Sequence, residues 1–329
     1  MRRTLVLSLA AALVATAAQA QDLPEDKTAI WTLQDENASI SSARLTDRYY
    51  VNGLHLGYVS GTDGVPDPLR GVGNAVWGSG QMRFSFSLNQ QIFTPADTTA
   101  YTPPPGDRPY AGLLYADFGL YRDVQDSRSI LGLTLGMVGP WALAQPTQNG
   151  IHDLIGQETT NGWHDQLRNE PLLELTSART WRLSTGSIGG LETQALPDLA
   201  VGVGNLRVYA QTGVLFRIGE GLDSDYGPPR LFPGPTGGDA FRPTRPFAWY
   251  VFAGADGQGL MRDITLDGND FAGGPSVKLI PYVGEIEAGA AVMAFGARLT
   301  YTQVMQSQEF EHQKGGPHQL GSVALSVRF

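Results

Sequence analysis

The 329-residue chain contains no cysteine, which removes disulfide scaffolds, thiolate metal sites and cysteine nucleophiles together. Charged residues are scarce at 17%, and the net charge of −9 argues against a nucleic-acid partner. A phosphorylated lipid is compatible with that total, because local arginine clusters coexist with it and divalent cations bridge phosphates. After the N-terminal leader no stretch offers about twenty uninterrupted apolar residues, so the mature chain is expected to have no membrane-spanning helix. No G-x-S-x-G elbow occurs, which argues against a soluble serine-hydrolase fold. Neither a solenoid repeat nor a compositional break marks a second domain.

Glycine and proline are plentiful, at 41 and 21 residues, a composition that suits many strands joined by turns better than it suits a helical protein. Met1 to Ala20 has a basic start (Arg2, Arg3), an apolar core from Leu5 to Ala18 and the cleavage pattern Ala18-Gln19-Ala20, so it reads as a secretory signal peptide. Residues 21–329 are then expected to form a single domain. At the other end Val323, Leu325, Val327 and Phe329 alternate with Ser322, Ala324, Ser326 and Arg328. A soluble sandwich could also finish in such a strand. In an exported chain, an amphipathic strand with a terminal aromatic favours an antiparallel transmembrane β-barrel in the outer membrane of a Gram-negative bacterium.

Strand signals recur at barrel-like spacing. Met82, Phe84, Phe86 and Leu88 alternate cleanly with Arg83, Ser85, Ser87 and Asn89, and comparable segments run over 28–34, 50–59, 111–121, 129–138, 172–180, 199–203, 206–218, 247–255, 288–303 and 319–329. With doubtful pieces near Trp181 and over 277–287 merged into one, about twelve strands are expected. Gly61 to Gly80 and Gly219 to Pro246 lack sustained periodicity and read as long exposed connections.

One polar segment interrupts this pattern, a short helical stretch within 147–168. If Gln148 to Gly156 forms about two helical turns, Gln148 and His152 share a face, while Ile151, Leu154 and Ile155 form an apolar one. Gly156 ends the helix and lets Glu158 fold back toward the imidazole, giving a base, an amide and a carboxylate that could hold a hard cation such as calcium. A capped surface helix in a loop is the structural alternative.

Two further stretches complete a set. The first runs Asp35-Glu36-Asn37-Ala38-Ser39 and on to Thr46-Asp47-Arg48-Tyr49-Tyr50-Val51-Asn52-Gly53-Leu54; the second runs from Asn89-Gln90-Gln91-Ile92-Phe93-Thr94-Pro95 to Gly106-Asp107-Arg108-Pro109-Tyr110-Ala111-Gly112. Together with the His152 segment and Gly162-Trp163-His164-Asp165-Gln166, they resemble the LpxR-like lipid A deacylase family over nearly the whole mature chain. The resemblance implies a barrel of about twelve strands that hydrolyses the ester holding the 3′-linked acyloxyacyl group of lipid A, with calcium as cofactor. It implies His152 as general base on water, Gln148 beside it, and Asn37 and Glu158 in a polar metal-binding cluster.

Two positions depart from the family pattern. Ala38 stands where an Asp usually follows the Asn matched by Asn37, and Val51 where a Thr or Ser usually follows the aromatic matched by Tyr50. A missing anionic ligand weakens a calcium site more than a missing neutral one. Asp35, on the face of a regular strand that Asn37 shares, is the better substitute ligand than Glu36, which points the other way. Arg108 is a candidate for a lipid A phosphate, or else a structural ion-pair partner. The partners implied are lipopolysaccharide and outer-membrane lipid, with a monomeric barrel. Two other readings stay open: a catalytically silent barrel of the same fold that binds lipopolysaccharide or serves structurally, and a phospholipase-like barrel with a serine nucleophile.

Overall fold

The computed structural model describes residues 23–41, 48–230 and 238–329. The expected signal peptide and Asp47 lie outside them. The strands are β1 (Ile30–Asn37), β2 (Tyr49–Val59), β3 (Gln81–Thr94), β4 (Ala111–Val124), β5 (Ser127–Val138), β6 (Glu170–Trp181), β7 (Leu183–Ile188), β8 (Leu191–Gly204), β9 (Arg207–Glu220), β10 (Phe247–Asp263), β11 (Tyr282–Ala294), β12 (Ala297–Gln306) and β13 (His318–Arg328). Apart from β6 and β7, each pairs antiparallel with its neighbours in sequence, and β1 pairs with β13, Ile30 opposite Arg328. Both β6 and β7 pair with β8, in one continuous direction broken only at Arg182. They are therefore two halves of a single wall strand, and the sheet closes as a barrel of twelve.

Alternation in this sheet runs opposite to that of a soluble sandwich. In β3, Phe86 and Leu88 are 42% and 49% exposed, whereas Arg83, Ser87, Asn89 and Gln91 are buried. In β1, Trp31 and Leu33 face outward while Thr32, Gln34 and Glu36 line the interior. Apolar side chains outside and polar ones inside are what a lipid-facing wall around a polar lumen requires. Outward aromatics form a ladder near the chain termini, Trp31 against Tyr58 at 5.2 Å and Tyr58 against Phe84 at 5.9 Å, matching the girdle expected at a membrane interface. The end carrying the termini also carries the tight turns at 125–126, 189–190 and 295–296, and in outer-membrane barrels this end faces the periplasm.

Three expectations are corrected. The apolar run 288–303 is two strands, because Phe295 and Gly296 both take positive φ (54° and 78°) and close a two-residue hairpin. The Gly61 to Gly80 connection contains a helix, α1 (Asp67–Trp77), which lies on the outside of the wall with Gly73 against Met82 and Leu120. The Gly219 to Pro246 connection is largely buried over its described residues 221–230 and 238–241, and surfaces again at 242–246. The buried parts fold up into the lumen, where Asp225 is held by Arg217, Arg298 and Tyr250, Arg230 by Asp256 and Glu285, and Asp239 by His55 at 2.9 Å. Burial alone would raise the Asp225 carboxyl, but Arg217 and Arg298 outweigh it and hold the group below the usual carboxylate range. What remains of the lumen beside this plug includes a polar cavity of about 160 Å³ lined in part by His55, Asp117, Glu174 and Arg207.

Candidate functional site

A second helix, α2 (Ala144–Ile155), stands at the distal end, in the connection between β5 and β6. Its sequence is a poor helix former on its own, with Pro146 in the first turn and Gly150 inside, the latter costing about 1 kcal/mol relative to alanine. Tertiary anchors hold it. Trp163, fully buried, donates from Nε1 to Gln148 Oε1 at 3.0 Å and to Thr160 Oγ1 at 2.8 Å, and stacks at a tilt on Tyr110 at 4.7 Å. Thr160 in turn bonds Asn149 through both its amide and its hydroxyl. Gly156 takes φ 73° and ends the helix, its amide returning to the His152 carbonyl.

The helix rests on the outer face of β3 and β4, not inside the barrel. Ala144 packs with Ile92 and Val51, Gln90 donates to the Ala142 carbonyl at 2.7 Å, and a Cβ at Gly112 would come within 2.4 Å of the Ala144 methyl. That approach needs glycine. The residues turned to the wall are Ala144, Gln148 and His152, whereas Ile151, Leu154 and Ile155 are exposed, Leu154 to 85%. The apolar face identified in the sequence therefore looks out to where lipid lies, and the polar face looks in.

His152 Nδ1 lies 2.7 Å from the backbone carbonyl of Glu158. A carbonyl can only accept, so Nδ1 carries a proton on that side of the ring. Trp163 Nε1 can only donate, so Gln148 presents its oxygen there and its amide NH₂ points elsewhere. The fold-back of Glu158 toward the imidazole does occur, but through the main chain: its side chain is exposed. Nothing in the spacing distinguishes the two.

At the ends of β1 and β2, Asn37 faces Asn52 across the pair, and the Ala38 amide donates to the Val51 carbonyl at 3.2 Å. Asn37 Oδ1 accepts from the Ser39 amide and hydroxyl at 2.7 and 2.6 Å, a local turn. Asp35 shares the outer face with Asn37 as expected, and accepts from Asn52 Nδ2 at 2.7 Å. Glu36 points into the lumen and binds Gln34 and Tyr50. Val51 reaches the outer side because β2 bulges between Tyr50 and Asn52. The methyl groups of Ala38 and Val51 are both buried.

This donor set does not fit calcium. Asn37 serves its own turn, Asp35 serves Asn52, the Glu158 carboxylate is exposed, and hydrocarbon stands at Ala38 and Val51. Among the described residues no three His, Asp or Glu side chains come together to hold a metal ion.

Arg108 takes the structural ion-pair alternative. It is 0% exposed, bonds Glu309 at 2.5 Å and Thr265 at 2.7 Å, and lies 4.5 Å over the Phe93 ring, closing the distal end of the lumen. His164 is exposed and stacks on Tyr101 at 4.3 Å. Asn149, Thr160 and Asn52, which orient the named residues, carried no signal in the spacing of the sequence.

The solved structure of LpxR from Salmonella typhimurium superposes with a TM-score of 0.75 at 20% identity, covering 91% of this chain and all of that one. At that identity the likeness establishes the fold. The β-domain of the Bordetella autotransporter Brka matches at a TM-score of 0.41 and 12% identity, covering 92% of this chain and 98% of that one. The translocator domain of NalP from Neisseria meningitidis matches at 0.39 and 10%, covering 100% and 95%. No curated protein sequence matches. The family model described as outer membrane protein LpxR matches residues 5–329, and the chain belongs to that family of outer-membrane β-barrel proteins.

Proposed function

We propose that the protein hydrolyses the ester of the 3′-linked acyloxyacyl group of lipid A, with His152 as general base on water. The observation that carries this reading is the 2.7 Å bond between His152 Nδ1 and the Glu158 carbonyl, which fixes the ring where a helix meets a lipid-facing wall, and the reading gives Nε2 the role of base. Water gives its proton to Nε2 as its oxygen bonds to the ester carbonyl carbon. The tetrahedral intermediate then expels the sugar alkoxide, and the imidazolium returns the proton to that leaving oxygen. The reading assigns Gln148, whose oxygen is held by Trp163 one turn before His152, as donor to the developing oxyanion, a contact worth about 10²–10³ in rate. No step is routed through a metal.

Mass spectrometry of lipid A incubated with refolded barrel in detergent tests the reading, with calcium and with chelator in parallel. Loss of one acyloxyacyl unit in both arms is the expected result. Unchanged lipid A with a folded barrel overturns it, and loss confined to the calcium arm overturns the metal-free form.

A second reading, a catalytically silent barrel that binds lipopolysaccharide, is favoured by the two buried hydrocarbon side chains at Ala38 and Val51. The double reversion Ala38→Asp with Val51→Thr separates the two. A gain of at least about tenfold together with new calcium sensitivity is expected, since oxyanion stabilisation of a few kcal/mol is restored. A wild-type protein without activity that becomes active on reversion would establish the silent reading.

A further inference from the structure

Away from the His152 cleft, at the periplasmic end of the outer wall, two arginines lie in one cross-strand row. Arg122 of β4 is directly opposite Ser129 of β5, and Ser129 is directly opposite Arg179 of β6. Ser129 is buried between them. Strands are spaced about 4.8 Å apart, so the two Cα atoms are roughly 10 Å from each other and the long side chains can meet over the serine. Arg122 is tethered by the Ser79 carbonyl at 2.8 and 2.6 Å, and Arg179 by Ser127 Oγ at 3.1 Å and by the Trp181 ring at 5.3 Å. Arg179 Nε is shielded from solvent and has no hydrogen-bond partner.

The next outward rows toward the membrane centre are apolar. Leu120 pairs with Leu131 and Leu131 with Ser177; beyond them Phe118 pairs with Leu133 and Leu133 with Leu175. These rows floor a groove of about 480 Å³ whose side wall is supplied by Leu69 and Val72 of α1. A cationic row at the interface with an apolar trough immediately above it has the charge order of one lipid, phosphate outermost and acyl chain inward.

We infer that this surface is a binding site for a glycerophospholipid of the periplasmic leaflet, its phosphate between Arg122 and Arg179 and one acyl chain along the groove beside α1. Arginine suits the task because its planar fork pairs with phosphate oxygens and its charge persists in a partly dehydrated setting. A lipid seated there would lock α1 to the wall.

Native mass spectrometry of the full barrel, released from detergent with added phosphatidylglycerol, tests the site. The wild type is expected to retain one lipid, and Arg179→Gln and Arg122→Gln together to reduce retention at least tenfold while the barrel keeps its heat-modifiable migration. Arg245→Gln, an exposed arginine already paired with Glu192, is the control for loss of charge and should retain lipid as the wild type does. Equal retention by the double variant overturns the inference, as does a comparable loss in the control. Displacement of the lipid adduct by millimolar inorganic phosphate also overturns it, since the groove would then contribute nothing.

Discussion

On the proposed function, His152→Ala is expected to lower hydrolysis of lipid A by about 10²–10⁴-fold, the range for removing a general base, while the barrel remains folded. The expected separation of activity from folding follows from where the residue sits. His152 belongs to a helix laid on the outside of β3 and β4, and the hydrogen bond it loses, to the Glu158 carbonyl, is worth about 1 kcal/mol. None of the wall's ladder bonds depends on it. The measurement is the lipid A mass spectrum beside a heat-modifiability gel; full activity in a folded variant would remove His152 as the base. Gln148→Ala should fall short of this loss, because it takes away a donor and leaves the proton acceptor in place.

The largest stability effect is expected at Asp225→Ala. That carboxylate is fully buried between Arg217 and Arg298, with Tyr250 donating at 2.8 Å, and its removal strands two guanidinium groups in the lumen. Breaking a buried pair from one side costs about 3–5 kcal/mol. The pH dependence has a definite sign. Because the folded carboxyl is held below its unfolded value of about 3.9, its contribution is complete above that pH and disappears as pH falls through the folded value. Urea unfolding of the refolded barrel should therefore show a gap between wild type and variant that is constant from neutral pH down to about pH 4 and closes below it. A gap unchanged at lower pH would show that the charge is not what matters at this position.

The strands were legible because a lipid-facing wall writes its alternation into every segment; the run from Met82 to Asn89 needs no tertiary information to be read. The helix end at Gly156 and the shared face of Gln148 and His152 were legible for the same reason, since both are local. What could not be read depends on partners far along the chain. Arg108 becomes structural through Thr265 and through Glu309, 201 residues later, and Asp225 through Arg217, Tyr250 and Arg298, the last 73 residues later. The plug looked like an exposed loop because its glycines and prolines carry no period, and its charges make sense only inside a ring of opposed charges. The hairpin at Phe295-Gly296 was missed because an aromatic stands where Asn or Asp usually accepts a positive φ. Glu158 was read as a carboxylate ligand because sequence displays side chains, whereas the contact made is from its main chain.

The exposed Ile151, Leu154 and Ile155 give the His152 helix a hydrocarbon border, so on the proposed function lipid A would reach it by sliding sideways within its leaflet instead of arriving from bulk water. The concentration that governs encounter is then a surface density. Turnover should follow the mole fraction of lipid A in the micelle or bilayer, and adding detergent at constant total lipid A should slow the protein by surface dilution alone.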